Sequence, residues 1–566
     1  MSDQTFASYP YTRPDKDAYL AQLSAWTAEL AEASDSANAL NLFRAAEKAA
    51  ASYDTMYQVA YIRNSINTKD AFYEEEINFF NDTNPIIAVA VQEFNRAVLA
   101  SPFLPSLKEV YGDLYFERMA MKDRLTSPAN VENQVEENRL VQEYFRIAGN
   151  CLTQFHGETL NFYGLLAKMQ STDRTLRKEA LTAWSELYAS VAPMLDDIYS
   201  RMIEVRCRMA ETLGFKDYTE MMYLSMERFS YNRDDVAAFR ESICRFVVPL
   251  VERIYEERKG KLGLDTLHYY DEPLTDPRGN ADPKGSTAEL LAFARQMYRE
   301  LSPETGKFFD AMMDACMFDL ETGDSKQQGG YCTFVPDLSL PFIFSNFNGT
   351  SADVDVLTHE AGHSFEAFTA YREGVPADIL FGTSEVAEIH SMSMEFFTHP
   401  WMELFFAGSK EDADRYRYIH LQDSLTCIPY MACVDEFQHL VYADHMTDAE
   451  ARYALWHRLE KKYMPWRDYD GDTFLEKGGF WLQKQHIFMC PFYYIDYAMA
   501  GTAALEFFLA DRADHASAWE RYMRLCRTGG RMRYFDLLKL AELHNPFEPD
   551  TLARITKELE PLALGQ

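Results

Sequence analysis

The chain has 566 residues, 47% of them hydrophobic and 14% aromatic, and a formal net charge of −33. A composition this apolar buries a large core and excludes a disordered chain; at about 150 residues per domain, the length suits several domain-sized masses or fewer large ones. The acidic surface lacks the basic footprint of a nucleic-acid binder and repels anionic membranes.

Cysteines stand singly between Cys151 and Cys526 with no C-x-x-C pair, the pattern of reduced thiols and not of a disulfide framework. The first twenty residues contain neither a basic n-region nor an apolar h-region, and no window approaches 18 uncharged apolar residues. The expectation is a cytoplasmic protein that spans no membrane, with its oligomeric state open.

In chain order, the spacing predicts helix almost throughout from about Lys16 to Leu262, in long amphipathic runs poor in Gly and Pro. Asp173–Phe215 is the clearest: apolar residues recur every three or four positions, Leu213-Gly214 is a stop signal, and Pro193 is expected to kink or divide the run. A turn-rich loop over Asp265–Thr287 follows, then helix from about Ala288 to Met317. The texture changes at "GGYCTFVPDLSLPFIFSNFNGT", Gly329–Thr350, where β-branched and aromatic residues broken by Gly and Pro predict two short strands and turns. A helix bearing "HEAGH" comes next, then a loop near Gly374–Pro376 and another helix from about Ser384. From about Glu403 the chain reads as helix to its end, interrupted near "MPWRDYDGD" and "CRTGGRMRY".

In "VLTHEAGHSF", Val356–Phe365, His359 and His363 are spaced i, i+4, so one helix face presents two imidazoles to a single ion with Glu360 beside it. A hydrolytic zinc takes three protein ligands and keeps a fourth position open for water. A third ligand is sought in "TSEVAEIHSMSMEFF", Thr383–Phe397, where Glu385, Glu388 and Glu395 share a helical face and His390 points away. Glu366 is a further contender, disfavoured because a tetrahedral site closes more easily from a second element. Spacing alone leaves the glutamates unresolved. Glu385 reads as solvated, and Glu395 as a group that orients a ligating imidazole.

Lys484–Gly501, "KQHIFMCPFYYIDYAMAG", gathers His486, Tyr493, Tyr494 and Tyr497, donors of the kind a developing oxyanion needs, although aromatic residues at helical spacing equally describe a core. "PFIFSNFNGT" reads either as an edge strand to which an extended peptide adds or as a small structural sheet, with Gly349 a point of close backbone approach.

"HEAGHSFEAF", the preceding "GGYCT" and "PFIFSNFNGT", and the glutamate of "SEVAEIHSMSMEFF" together resemble the thimet-oligopeptidase-like zinc metallopeptidases, within them most nearly the oligoendopeptidase F and Pz-peptidase branch. The resemblance runs from "LGFKDYTEMMY" at Leu213 to "GGRMRYFDLLKLAELHNPF" and is weakest over the first 150 or so residues. In that family the third ligand lies 25 positions after the second motif histidine, which selects Glu388. The resemblance implies one zinc per chain on His359, His363 and Glu388, with Glu360 as the general base that later returns its proton to the leaving amine. It implies His486, Tyr494 and Tyr497 as donors to the transition state, with Tyr493 and Gly349 toward substrate. Ile495 stands where relatives of this branch often have Tyr, which leaves open which phenols act.

The fold implied is mainly α: two helical lobes enclosing a deep substrate channel, with a small β-sheet beside the H-E-x-x-H helix. The division expected is an N-terminal helical lobe over 1–180 and a catalytic zinc-peptidase region over 181–566. The expected function is zinc-dependent hydrolysis of internal bonds in short oligopeptides, with no nucleic-acid or membrane partner. The alternatives are a peptidyl-dipeptidase using the same site and a catalytically inactive helical scaffold or binding protein.

Overall fold

The computed structural model describes residues 5–149, 151–323, 325–327 and 329–565. It is 73% helical, which settles the mainly α class. None of the described helices is long and apolar enough to cross a membrane. The helices that frame the argument are α1 (Lys16–Ala31), α2 (Ser36–Ile66), α3 (Ala71–Ala100), α4 (Asp113–Leu125) and α5 (Arg174–Thr212). After them come α6 (Ala352–Arg372), α7 (Ser384–Phe397), α8 (Lys410–Ala443), α9 (Tyr494–Ala513) and α10 (His515–Thr528). The strands are β1 (Thr153–Phe155), β2 (Glu158–Leu160), β3 (Phe318–Glu321), β4 (Tyr331–Val335) and β5 (Leu340–Phe347).

Short acidic caps start these helices. The Asp15, Asp35, Asp70 and Asp173 carboxylates accept backbone N–H groups in the first turns of α1, α2, α3 and α5, groups that have no partner within the helix. α5 ends as its sequence predicts: Gly214 takes φ +78°, and the N–H groups of Gly214 and Phe215 return to the carbonyls of Glu211 and Ala210 at 3.0 and 2.9 Å. Pro193 lies inside one continuous helix and does not divide it. The expected helix from Ala288 to Met317 is instead two, broken at Ser302, whose hydroxyl accepts the N–H of Thr305 at the start of the second.

Three short strands lie outside the sequence reading. β1 and β2 form a hairpin closed by His156 and Gly157, both at positive φ, and β3 pairs parallel with β5. At three and four residues these strands are too short for alternation to show. The second sheet has the order β3-β5-β4, so β5, which carries "PFIFSNF", is its central strand. The expectation that this segment is an edge open to an added peptide is therefore corrected: both of its sides are paired, and the edges belong to β3 and β4.

Contacts group the described chain into two compact units. The first comprises Met1–Pro128, Asp282–Ser409 and Ala510–Leu543; the second comprises Ala129–Ala281, Lys410–Leu509 and His544–Gln566. This partition differs from a lobe over 1–180 and a region over 181–566, because each unit is assembled from three separate stretches of chain. In the first unit, Leu23, Phe43, Phe94, Val98 and Phe116 form a core with Ala367 and Ala370 from the last turns of α6. Along the rest of its length α6 packs against α7, α10, β4 and β5. In the second unit, α5 contributes a buried stripe from Leu181 through Trp184, Leu195, Tyr199 and Met202 to Met209.

Candidate metal centre

His359 and His363 stand one turn apart on α6, their ring centroids 5.0 Å apart. Their ring nitrogens reach one oxygen of Glu388 on α7: His359 Nε2 lies 3.2 Å and His363 Nε2 3.4 Å from Glu388 Oε2. One ligand atom from each residue falls within 4.8 Å of the others. Two imidazoles and a carboxylate are the donor set of a catalytic zinc, and a tetrahedron with bonds of about 2.0–2.1 Å has edges of about 3.3 Å, so the cluster fits that ion.

The helices meet this closely because of the glycine in "HEAGH". A Cβ on Gly362 would stand 2.6 Å from the Ser391 Cα and 2.7 Å from the His390 carbonyl oxygen of α7. Around the ligands, His359 Nδ1 pairs with Glu395 Oε1 at 2.6 Å, as expected of Glu395, and the Ser391 hydroxyl donates to Glu388 Oε2 at 2.9 Å. Ser391 was missed in the sequence, although its i+3 spacing from Glu388 is the available signal.

Burial opposes charge on His359, but hydrogen bonds to Glu388 and Glu395 outweigh it and hold the imidazole well above its usual range. Burial likewise disfavours the Glu388 carboxylate, yet the charges and hydrogen bonds of His363 and His359 keep it well below the ordinary carboxylate range. Glu360 lies beside the cluster, 8% exposed, and burial pushes its carboxyl up against the opposing pull of the two histidines. On β4, burial and the nearby Glu360 charge push the Cys332 thiol up, and its sulfur lies 3.1 Å from the Ser364 hydroxyl.

Behind the ligands, Glu385 is 1% exposed, which corrects its reading as a solvated residue: its helix face is turned inward along α6. Glu366 is fully buried, accepts the Gly382 N–H at 3.1 Å and lies 3.3 Å from His390 Nδ1, which also faces the Val386 carbonyl at 2.9 Å. Burial pushes Glu366 up to about 8 and His390 down to about 3, so near neutral pH both are uncharged. The folded state thus favours protonated Glu366, whose ordinary value is 4.5. Its contribution to stability is complete below that value and is lost as pH rises through about 8. Glu366→Gln is expected to remove this loss, so the melting temperature of the variant relative to the parent rises from mildly acidic to alkaline pH. A difference that stays constant across that range sinks the assignment.

Gly349 adopts φ +87° in the turn before α6, where the Asp353 carboxylate accepts the N–H groups of Asn348 and Gly349 at 3.0 and 2.7 Å. An added Cβ there would meet nothing within 4 Å, so the left-handed backbone, not crowding, calls for glycine. His486, Tyr493, Tyr494 and Tyr497 belong to the second unit, while the ligand cluster belongs to the first. Within their unit the four gather as expected: the His486 ring lies 4.9, 6.1 and 6.2 Å from those of Tyr494, Tyr497 and Tyr493, and Lys484 donates to the Tyr494 hydroxyl at 2.8 Å. Ile495 is fully buried and serves the core.

The chain matches the peptidase M3 N-terminal domain over residues 6–126 and peptidase family M3 over residues 167–284 and 300–556. It is 24% identical over 539 residues to an oligoendopeptidase F homolog of Lactococcus lactis subsp. lactis (strain IL1403), covering 89% of this chain and 84% of that protein. Among solved structures, Pz peptidase A with an inhibitor shares 37% identity over 99% of both chains at a TM-score of 0.95. A protein provisionally named oligoendopeptidase F shares 39% identity over 98% of both chains at a TM-score of 0.94.

Proposed function

The chain belongs to peptidase family M3, in its oligoendopeptidase F and Pz-peptidase branch, as a metallo-oligopeptidase, and from that premise we propose that it cleaves internal bonds of short peptides using one zinc held by His359, His363 and Glu388. The observation that carries this reading is the convergence of those three side chains beside the buried carboxylate of Glu360. Zinc bound there supplies Lewis acidity, polarising a carbonyl and bringing the pKa of water toward about 7. Glu360 takes the proton of the attacking water as its oxygen adds to the scissile carbonyl carbon. It then gives that proton to the departing amine nitrogen, so the carboxylate is regenerated.

With zinc bound, Glu395 would accept the Nδ1–H of His359 and so leave its Nε2 lone pair for the metal. Ser391, three residues on along the same helix, donates its hydroxyl to the Glu388 oxygen that faces both histidines. His486, Tyr494 and Tyr497 are assigned as hydrogen-bond donors to the oxyanion, and Tyr493 and Gly349 as substrate contacts. That assignment is supported by the family resemblance and by the gathering of the imidazole and phenols within the second unit. Nine free cysteines agree with a reducing, cytoplasmic setting.

The test is cleavage of a short internally quenched peptide blocked at both ends. Protein stripped by a chelator is expected to lose activity and to regain it with one equivalent of zinc. Full activity in zinc-free protein removes the metal assignment. Cleavage confined to peptides with a free C-terminus replaces the endopeptidase with a peptidyl-dipeptidase, and no cleavage by zinc-loaded protein leaves an inactive binding protein.

A further inference from the structure

In the second unit, Cys490-Pro491-Phe492-Tyr493 forms a tight turn just before α9, closed by the Tyr493 N–H on the Cys490 carbonyl at 3.2 Å. Proline is usual at the second position of such a turn, but the third position, here at φ +68°, is ordinarily glycine or asparagine. In this chain it is Phe492, whose Cβ the left-handed backbone crowds against the following carbonyl. The ring is fully buried, with those of His439, Tyr442 and Tyr218 at 5.0, 5.6 and 6.2 Å. A residue held in a strained conformation persists only where its surroundings over-determine it.

Here both main-chain polar groups of Phe492 are held by buried side chains. Its N–H donates to Gln438 Oε1 on α8 at 3.1 Å. Gln438 is 1% exposed, and its amide nitrogen donates to the Val434 carbonyl at 3.2 Å, which fixes the direction of the oxygen. The Phe492 carbonyl accepts from Arg228 Nη2 at 2.6 Å, and the same nitrogen donates to Asp496 Oδ1, in the first turn of α9, at 2.6 Å. One guanidinium thus ties the turn to the start of the helix that carries Tyr494 and Tyr497. On the turn's other side, the Cys490 N–H donates to the His486 carbonyl at 2.9 Å, and buried Arg206 of α5 donates to the carbonyls of Ile487 and Phe488.

The Arg228 and Asp496 side chains are both fully buried. Such a pair adds little to stability over apolar groups of the same shape, so stability is a weak account of it. What these contacts do set is where His486, Tyr494 and Tyr497 stand relative to one another. We propose that Gln438 and Arg228 are positioning residues for the reaction: by clamping the strained turn at Phe492 they aim the Tyr494 and Tyr497 hydroxyls. The proposal rests on the reading of those phenols as donors to the oxyanion.

The experiment measures kcat and KM on the blocked quenched peptide, with zinc content and melting temperature, for full-length zinc-loaded variants. Gln438→Met removes the acceptor for Phe492 and is expected to lower kcat by about 10–100-fold, with KM unchanged and one zinc per chain, as a small misplacement of reacting groups does. Gln438→Glu keeps an oxygen in the same place and should recover most of that loss. Arg228→Lys keeps a cation for Asp496 without the planar fork; it should lower kcat likewise, and it decides the matter if Gln438→Met does not fold. Tyr494→Phe and Tyr497→Phe should each cost less in these variants than in the parent, since a misaimed phenol has less to lose, whereas independent lesions add. Additive losses, or parent-like kcat in a folded variant whose melting temperature alone falls, overturn the clamp while leaving the phenols as donors. If neither tyrosine exchange lowers kcat in the parent, the phenols are not donors, and the clamp falls with that reading.

Discussion

Glu360→Gln is expected to lower kcat on a blocked peptide by about 10²–10⁴-fold, the usual contribution of a positioned acid–base group, while zinc content stays at one per chain. The amide matches the carboxylate in volume at a position 8% exposed, so packing is kept, but it has no basic oxygen to receive a proton. Glu360 follows His359 directly and is turned about 100° from it around α6, which keeps it out of the ligand set. Burial pushes its carboxyl above the ordinary range, against the pull of the two histidines. Turnover is read with an internally quenched peptide, and zinc by elemental analysis of the same samples. Parent-like turnover in the zinc-loaded variant removes Glu360 as the base; loss of zinc instead places it among the ligands.

Much of this centre was legible because its signals are local. The i, i+4 histidines need one helix to converge, and "HEAGH" lies in an uninterrupted helical run. The partner glutamate was not legible from spacing alone: Glu385, Glu388 and Glu395 share one face, and family resemblance was needed to choose Glu388. Geometry separates their surroundings, with Glu388 near both Nε2 atoms, Glu395 on the Nδ1 of His359, and Glu385 buried. Reading Glu385 as solvated failed because charge suggests exposure, whereas α7 is packed along α6 and near other elements of its unit.

The sheet shows a second limit. Strand character in "YCTFV" and "LPFIFSNF" was plain from β-branched and aromatic content, yet which strand lies in the middle depends on β3, a four-residue piece far too short to announce itself. Discontinuous units are harder still, since a chain that leaves a unit and returns keeps the same amphipathic pattern throughout. The buried pair of Glu366 and His390 is of the same kind: spacing makes Glu366 a contender for the metal and turns His390 away, and only the packing of α6 against α7 brings the two together and makes both neutral.

Gly362→Ala tests that packing most directly, because two effects of opposite sign compete at the site. Within a helix, alanine is favoured over glycine by about 1 kcal/mol, so propensity alone predicts a more stable protein. The new Cβ, however, would stand 2.6 Å from the Ser391 Cα and 2.7 Å from the His390 oxygen, both backbone atoms of α7 that cannot rotate away. Relief requires α7 to move off α6, and overpacking of this kind costs about 1–3 kcal/mol, which outweighs the propensity gain. Glu388 lies only three residues before Ser391 on the moving helix, and its single oxygen serves both histidines at 3.2 and 3.4 Å. A lower melting temperature and zinc affinity reduced by about 10–100-fold, the range seen when ligand support is lost, are therefore expected. Both are measured on purified protein, by thermal melting and by competition with a zinc-binding dye. A variant that melts higher and holds zinc as tightly as the parent would show that the helices have slack at this crossing. The glycine would then be dispensable for bringing Glu388 to the histidines.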